Sequence, residues 1–298
     1  VSPCSMKGKF MIDIKKELEK SARNSIRINI DGKPLDKVGA TKFGGKPDVP
    51  ADFKWPYYEG EGYLDEAPKN RPLSFIAQFN LAEISKYDTD NLLPKTGLLS
   101  FFYDCDTMRW GYDPKDKGCA RVYYFENVNA LSPAEYPNDL DADFHFPELA
   151  ISGRSEKSYQ DFEDFIVQRE KMAMEWDQFD EALKSMGIEE PDDLDDLSKL
   201  LGWANVIQGN MTRECELIAR RGYYLGDPDS WELVTPRDRQ ETEQWANRDW
   251  LLLFQLGTVE TDGFELMFGD CGRIYFYIHR DDLAARNFDN VWLILQCG

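Results

Sequence analysis

Histidine is almost absent from this chain. Only His145 and His279 occur in 298 residues, so a three-histidine metal site cannot form. Neither H-E-x-x-H nor a Cys2His2 spacing exists. The six cysteines, at positions 4, 105, 119, 215, 271 and 297, include no C-x-x-C pair. They read as reduced, mostly buried thiols, and no metal or cofactor is expected. Long apolar runs are missing too. No window approaches the ~18 apolar residues of a membrane span, and the opening VSPCSMKGKFMIDIKKELEK lacks the apolar stretch of a signal peptide. A cytoplasmic protein without a membrane partner is the expectation. Basic residues are outnumbered 35 to 55, for a formal net charge of −20. Such a surface repels phosphate backbones, which argues against a nucleic-acid partner. There is no G-x-S-x-G, Walker A or G-x-G-x-x-G. No catalytic residue is assigned, and the balance leans away from an enzyme.

What is present is ample core material, 42% hydrophobic and 13% aromatic residues, enough to exclude general disorder. An amphipathic helix and a hairpin are expected over 9–35, with Ile26, Ile28 and Ile30 alternating before the Asp31-Gly32 turn. A first β unit spans about 70–130, through PLSFIAQFNL, GLLSFFYD and CARVYYFENV. The proline-bearing stretch 131–158 reads as a connection. From 159 the apolar period changes to that of a helix, through Phe162, Phe165, Trp176, Phe179 and Leu183. A further short helix is expected over DDLDDLSKLLG, closed by Gly202. Together these define an acidic helical insert at about 155–222. A second β unit occupies about 248–298, and it echoes the first. LSFIAQF and LLLFQL each close on a glutamine, Gln78 and Gln255. The strands GLLSFFYD and GRIYFYIH then begin 19 and 17 residues later. The predicted class is α+β: one domain over 1–298, with duplicated antiparallel β units forming one core and an acidic helical insert.

The pieces KFGGKPDVP…WP, PLSFIAQFNL, LPKTGLLSFFYD, LLGWANVIQGNM, LLLFQL and FGDCGRIYFYI…DL…NFDNVWLILQC resemble, in that order, the YwqG-like family of bacterial cytoplasmic proteins of unknown function. The resemblance covers about 40–298. It implies an α+β domain with a duplicated β element and no established activity. An association of some members with toxin-immunity loci implies a partner-neutralising role.

Two site readings follow from the residues. Residues 159–201 hold 14 Asp and Glu against 4 Lys and Arg, a net of −10. Such a run is usually a solvated helical face, but Asp192, Asp193, Asp195 and Asp196 could present a surface that captures a basic protein. A non-catalytic interaction module, of immunity type, is therefore the leading functional expectation. The alternative is a binding protein or enzyme for a small anionic ligand. Its loop would be KFGGKP, where Gly44 and Gly45 offer backbone N–H groups and Lys42 and Lys46 supply charge. Gln78 and Gln255, buried at strand ends, either bond backbone or read that ligand. Asp270 and Arg273 belong to the same candidate set. On strand GRIYFYIH, alternation predicts a polar outer face bearing Arg273, Tyr275, Tyr277 and His279.

Overall fold

A computed structural model describes residues 13–30, 32–33, 37–62, 67–167, 174–188 and 197–298. Ten strands form one antiparallel sheet. In chain order they are β1 (Arg23–Ile30), β2 (Lys42–Phe43), β3 (Ser74–Asn80), β4 (Leu98–Tyr103), β5 (Ala120–Phe125) and β6 (Leu149–Ser158). They continue with β7 (Lys199–Leu201), β8 (Trp250–Leu256), β9 (Arg273–His279) and β10 (Trp292–Gln296). Across the sheet the order is β10-β9-β8-β7-β1-β6-β2-β3-β4-β5. The α+β class is thus correct, and the duplication is visible as two five-strand halves meeting at the β1–β6 pair.

The halves match residue by residue. Gln78 of β3 pairs with Lys42 and Ser100, while Gln255 of β8 pairs with Lys199 and Tyr275. Both third strands carry a bulge two residues before the glutamine, at Ile76 and Leu253. The sheet nearly closes into a barrel. Phe79, Phe101, Phe254 and Phe276 meet inside it, with Phe101 and Phe276, which are equivalent positions, 5.1 Å apart. Where the outer strands approach, Trp292 Nε1 donates to the carbonyl of Gly111 (2.9 Å), and Leu295 N donates to that of Trp110 (3.0 Å).

Several expectations need correction. The helix over 9–35 is found as α1 (Ile14–Ser21), but among the described residues the strand after it makes no hairpin partner of the residues that follow. Residues 23–30 instead form a central strand, paired along both edges, with Ile26 and Ile28 buried in the core on its inner face. The stretch 131–158 is not all connection: its end is β6, ten residues long. The insert at 155–222 is not wholly helical either. It holds α2 (Phe162–Ile166), α3 (Trp176–Ser185) and α4 (Met211–Cys215), yet Lys199–Leu201 is a sheet strand rather than the end of a helix. Gly202 does end it, but with φ +78° after Leu201 at +59°, the same left-handed pair as Gly44 (+58°) and Gly45 (+66°) after β2. The polar outer face expected of β9 does not exist. Tyr275 and Tyr277 are buried with Trp250, Leu252, Trp292 and Ile294 beneath Met211, Cys215, Leu217 and Ile218. Both faces of β8, β9 and β10 are covered, and alternation cannot report that. Among the described residues no helix is long and apolar enough to cross a membrane.

Candidate functional site

The duplicated β2 and β7 corners place the same side chains in the same frame. KFGGKPD (42–48) stands in half one where KLLGWAN (199–205) stands in half two. The glutamine clamps the corner in both. Gln78 Oε1 accepts from Asp48 N (2.9 Å), and its Nε2 donates to the Ala40 carbonyl and to Asp48 Oδ2. Gln255 Oε1 accepts from Asn205 N (2.9 Å), and its Nε2 donates to the Leu197 carbonyl and to Asn205 Oδ1. A buried amide with all its groups engaged fixes the corner, since leaving them unmet would cost about 1–3 kcal/mol.

Around this shared frame the charges have diverged. In half one Lys42 Nζ lies 2.7 Å from Glu148 and 3.8 Å from Asp48, and its cross-strand neighbour is Ala150. In half two Asp48 becomes neutral Asn205, and the register puts Arg27 beside Lys199 where half one has Ala150. The register also puts Ser25 in the place of Glu148. Arg273 stands where half one has Leu98, and it donates to the Asn205 carbonyl (3.3 Å). One half therefore carries a neutralised lysine and the other a concentration of cations. Lys199 is 4% exposed, and its one hydrogen bond among the described residues runs to the carbonyl of Trp203 (2.7 Å). Burial pulls its pKa down to about 8, with Arg27 adding to the effect and Glu156 and Asp161 opposing it, as expected of an ammonium taken out of water.

Lys199 and Arg27 line a cleft of about 550 Å³ on the outer face of β1, β6 and β7. Arg154 extends the pattern. Arg154 opposes Arg27 across the β6–β1 pair, and Arg27 opposes Lys199 across β1–β7. Adjacent strands lie about 4.8 Å apart, so three cations form one row roughly 10 Å long. Like charges directly opposite on neighbouring strands destabilise a sheet. Phe162, Trp176 and Phe179 from α2 and α3 form the apolar wall, with Trp176 51% exposed. Asp161 stands at the rim, capping α2 by accepting from Phe162 N (2.6 Å). Burial holds its carboxyl above the usual range.

The residues singled out from sequence are dispersed. Gly44 N and Gly45 N donate to the carbonyls of Ile76 and Phe146, so neither amide is turned to a ligand. Lys42 is neutralised as described, and half-buried Lys46 pairs with Glu135. The expected anion cradle at this loop is not formed, because the chain uses its donors to close the corner. Gln78 and Gln255 lie in different halves. Asp270 is exposed in the turn before β9, while Arg273 is buried and turned toward Asn205. Asp192, Asp193, Asp195 and Asp196 lie outside the described residues. Lys199, Arg27 and Asn205 were not identified from sequence, although KLLGWAN read against KFGGKPD holds the signal.

Beside the cleft, Asp164 of α2 is buried. Its Oδ1 accepts from Asn210 Nδ2 (2.6 Å), and Asn247 Nδ2 donates to its carbonyl (2.7 Å), which ties α2 to α4 and to α5 (Pro236–Asp249). Burial, with Asp161 nearby, raises its pKa to about 7. The folded protein thus holds this proton more tightly than the unfolded chain. The resulting stability is complete below about pH 4 and is lost as pH rises through 7. Between pH 5.5 and 8 the loss should be about 2 kcal/mol, at about 1.4 kcal/mol per pH unit. Urea midpoints of wild type and Asp164→Asn at the two pH values will check this. The variant should lose about 2 kcal/mol of the difference, whereas the part owed to Glu214, whose buried carboxyl is pushed up to about 8, and self-repulsion of the net charge would affect both proteins alike.

A family model described as Domain of unknown function (DUF1963) matches residues 41–297. Comparison with curated proteins finds no match.

Proposed function

The chain belongs to the DUF1963 family, whose description assigns no role, and we propose from its geometry that it binds a small anionic ligand at the Arg154–Arg27–Lys199 row. The observation that carries this is the row itself. Three cations sit in register in a protein of net charge −20; Glu156, 3.8 Å from Arg154, offsets part of their repulsion, and a bound anion would offset more. The cleft is of ligand size, since sites for small molecules run about 300–1,000 Å³. Its apolar wall calls for an aromatic or aliphatic body attached to the anionic group. Titration calorimetry with phenyl phosphate and benzoate tests the reading. Arg27→Gln should weaken binding by roughly tenfold or more, as expected for a charged hydrogen bond worth about 1.5–3 kcal/mol. Lys46→Ala, on the far corner, should change nothing. Equal affinity in wild type and Arg27→Gln, or no binding of either probe, removes the reading.

A second proposal keeps the acidic surface. The net charge of −20 favours capture of a basic protein, with an immunity-type role and Asp192, Asp193, Asp195 and Asp196 as the contact. A YwqG-like identity and a cytoplasmic location go with that proposal. Reversing these four charges should abolish co-purification of such a partner at low salt, and Arg27→Gln should not.

A further inference from the structure

We propose that Lys199 is a carbonyl-reactive amine, which forms an imine with an aldehyde or 2-oxo acid seated in the cleft. This rests on the small-anion reading and adds the chemical class of the ligand. The duplication isolates what is unusual. Lys42, in the same frame, is held by two carboxylates, Glu148 at 2.7 Å and Asp48 at 3.8 Å. At Lys199 one of those acids is replaced by Asn205 and the other position by Ser25. The amine keeps a single carbonyl acceptor at its base. Glu156 and Asp161 lie near enough to act on the amine, but among the described residues neither forms an ion pair with it as Glu148 and Asp48 do with Lys42, and a buried lysine without such a contact is the kind that serves as a nucleophile near neutral pH.

The neighbours supply the rest. Arg27, directly across the strand pair, is placed to hold a carboxylate attached to the carbonyl carbon. Asp161, lining the same cleft, is a carboxyl whose proton is retained more readily than in water. In the step, the neutral amine attacks the carbonyl carbon, a C–N bond forms and the C=O π bond breaks. Asp161 gives its proton to the oxygen. The carbinolamine then loses water, the nitrogen's proton returning to the carboxylate. Amine and carbonyl yield imine and water, with no oxidant or reductant required.

Glyoxylate with sodium cyanoborohydride at pH 8, followed by peptide mass mapping of the intact folded protein, tests this. Lys199 should be labelled roughly tenfold faster than the exposed Lys54 and Lys95, because its neutral fraction is larger at that pH. Phenyl phosphate should protect it. Lys199→Arg should abolish the fast phase, whereas Lys46→Ala, on the far corner, should leave both the labelling and phenyl phosphate binding unchanged. Label confined to exposed lysines while phenyl phosphate binds normally would overturn the imine and leave the anion site standing. Absence of both labelling and binding would overturn both.

Discussion

Lys42→Met should cost the protein about 3–5 kcal/mol, while Lys199→Met should leave it as stable or raise its stability by roughly 1–2 kcal/mol. The two lysines occupy equivalent corners, are 6% and 4% exposed, and lose the same atoms in the exchange. What differs is what each leaves behind. Removing Lys42 strands Asp48, which is 1% exposed and whose Oδ2 is held by Gly39 N and Gln78 Nε2. A buried carboxylate that loses its counter-charge is among the costliest single changes in a fold. Removing Lys199 takes away a desolvated cation, eases its repulsion with Arg27, and fills the site with an apolar chain of similar length. Urea unfolding of the two variants side by side measures the contrast. Equal losses in both would mean that Lys199 is as well compensated as Lys42, and the divergence of the two corners would carry no functional meaning.

The second large effect belongs to the barrel interior. Phe101→Ala and Phe276→Ala should each cost about 3–5 kcal/mol, the range for deleting a buried phenyl ring. Phe101 touches Phe254 at 4.8 Å and Phe276 at 5.1 Å between ring centroids. These contacts join the two halves, so the double variant should lose less than the two single losses combined, by about 0.5–1.5 kcal/mol. Strict additivity, or a two-step unfolding curve in either single variant, would show the halves to be independent.

The duplication was legible where strands are long. Aligning Gln78 with Gln255 and Gly97 with Gly272 matches the observed ladders, in which Ser100, Phe102 and Asp104 occupy the places of Tyr275, Tyr277 and His279. The capping role persists through that last exchange. Asp104 accepts from Thr107 N, and His279 Nδ1 accepts from Asp281 N. The candidate site was not legible, because it depends on register between distant short strands. A strand of three residues, Lys199–Leu201, carries no period to detect, and a run of aspartates before it reads as helix. Arg27 and Arg154 are 127 positions apart in sequence, and only the β1–β6 pairing makes them neighbours. The polar face expected on β9 failed for a related reason. Tyr275 and Tyr277 look like solvent-facing residues until the segment after β7 folds over them.

The position of β1 has a consequence for how the chain is made. Of the ten strands of the sheet it is the first to be synthesised, yet it completes the second half, and its partners are residues 149–158 on one edge and 199–201 on the other. At ribosomal rates of about 5–20 residues per second, its inner edge waits on the order of ten seconds for β6, and its outer edge longer for β7. An open edge of that kind is a template for pairing with another nascent chain. Vectorial synthesis therefore leaves this protein most prone to misassembly between the emergence of residues 158 and 201, when half one is complete and the strand that seals β1 has yet to leave the tunnel.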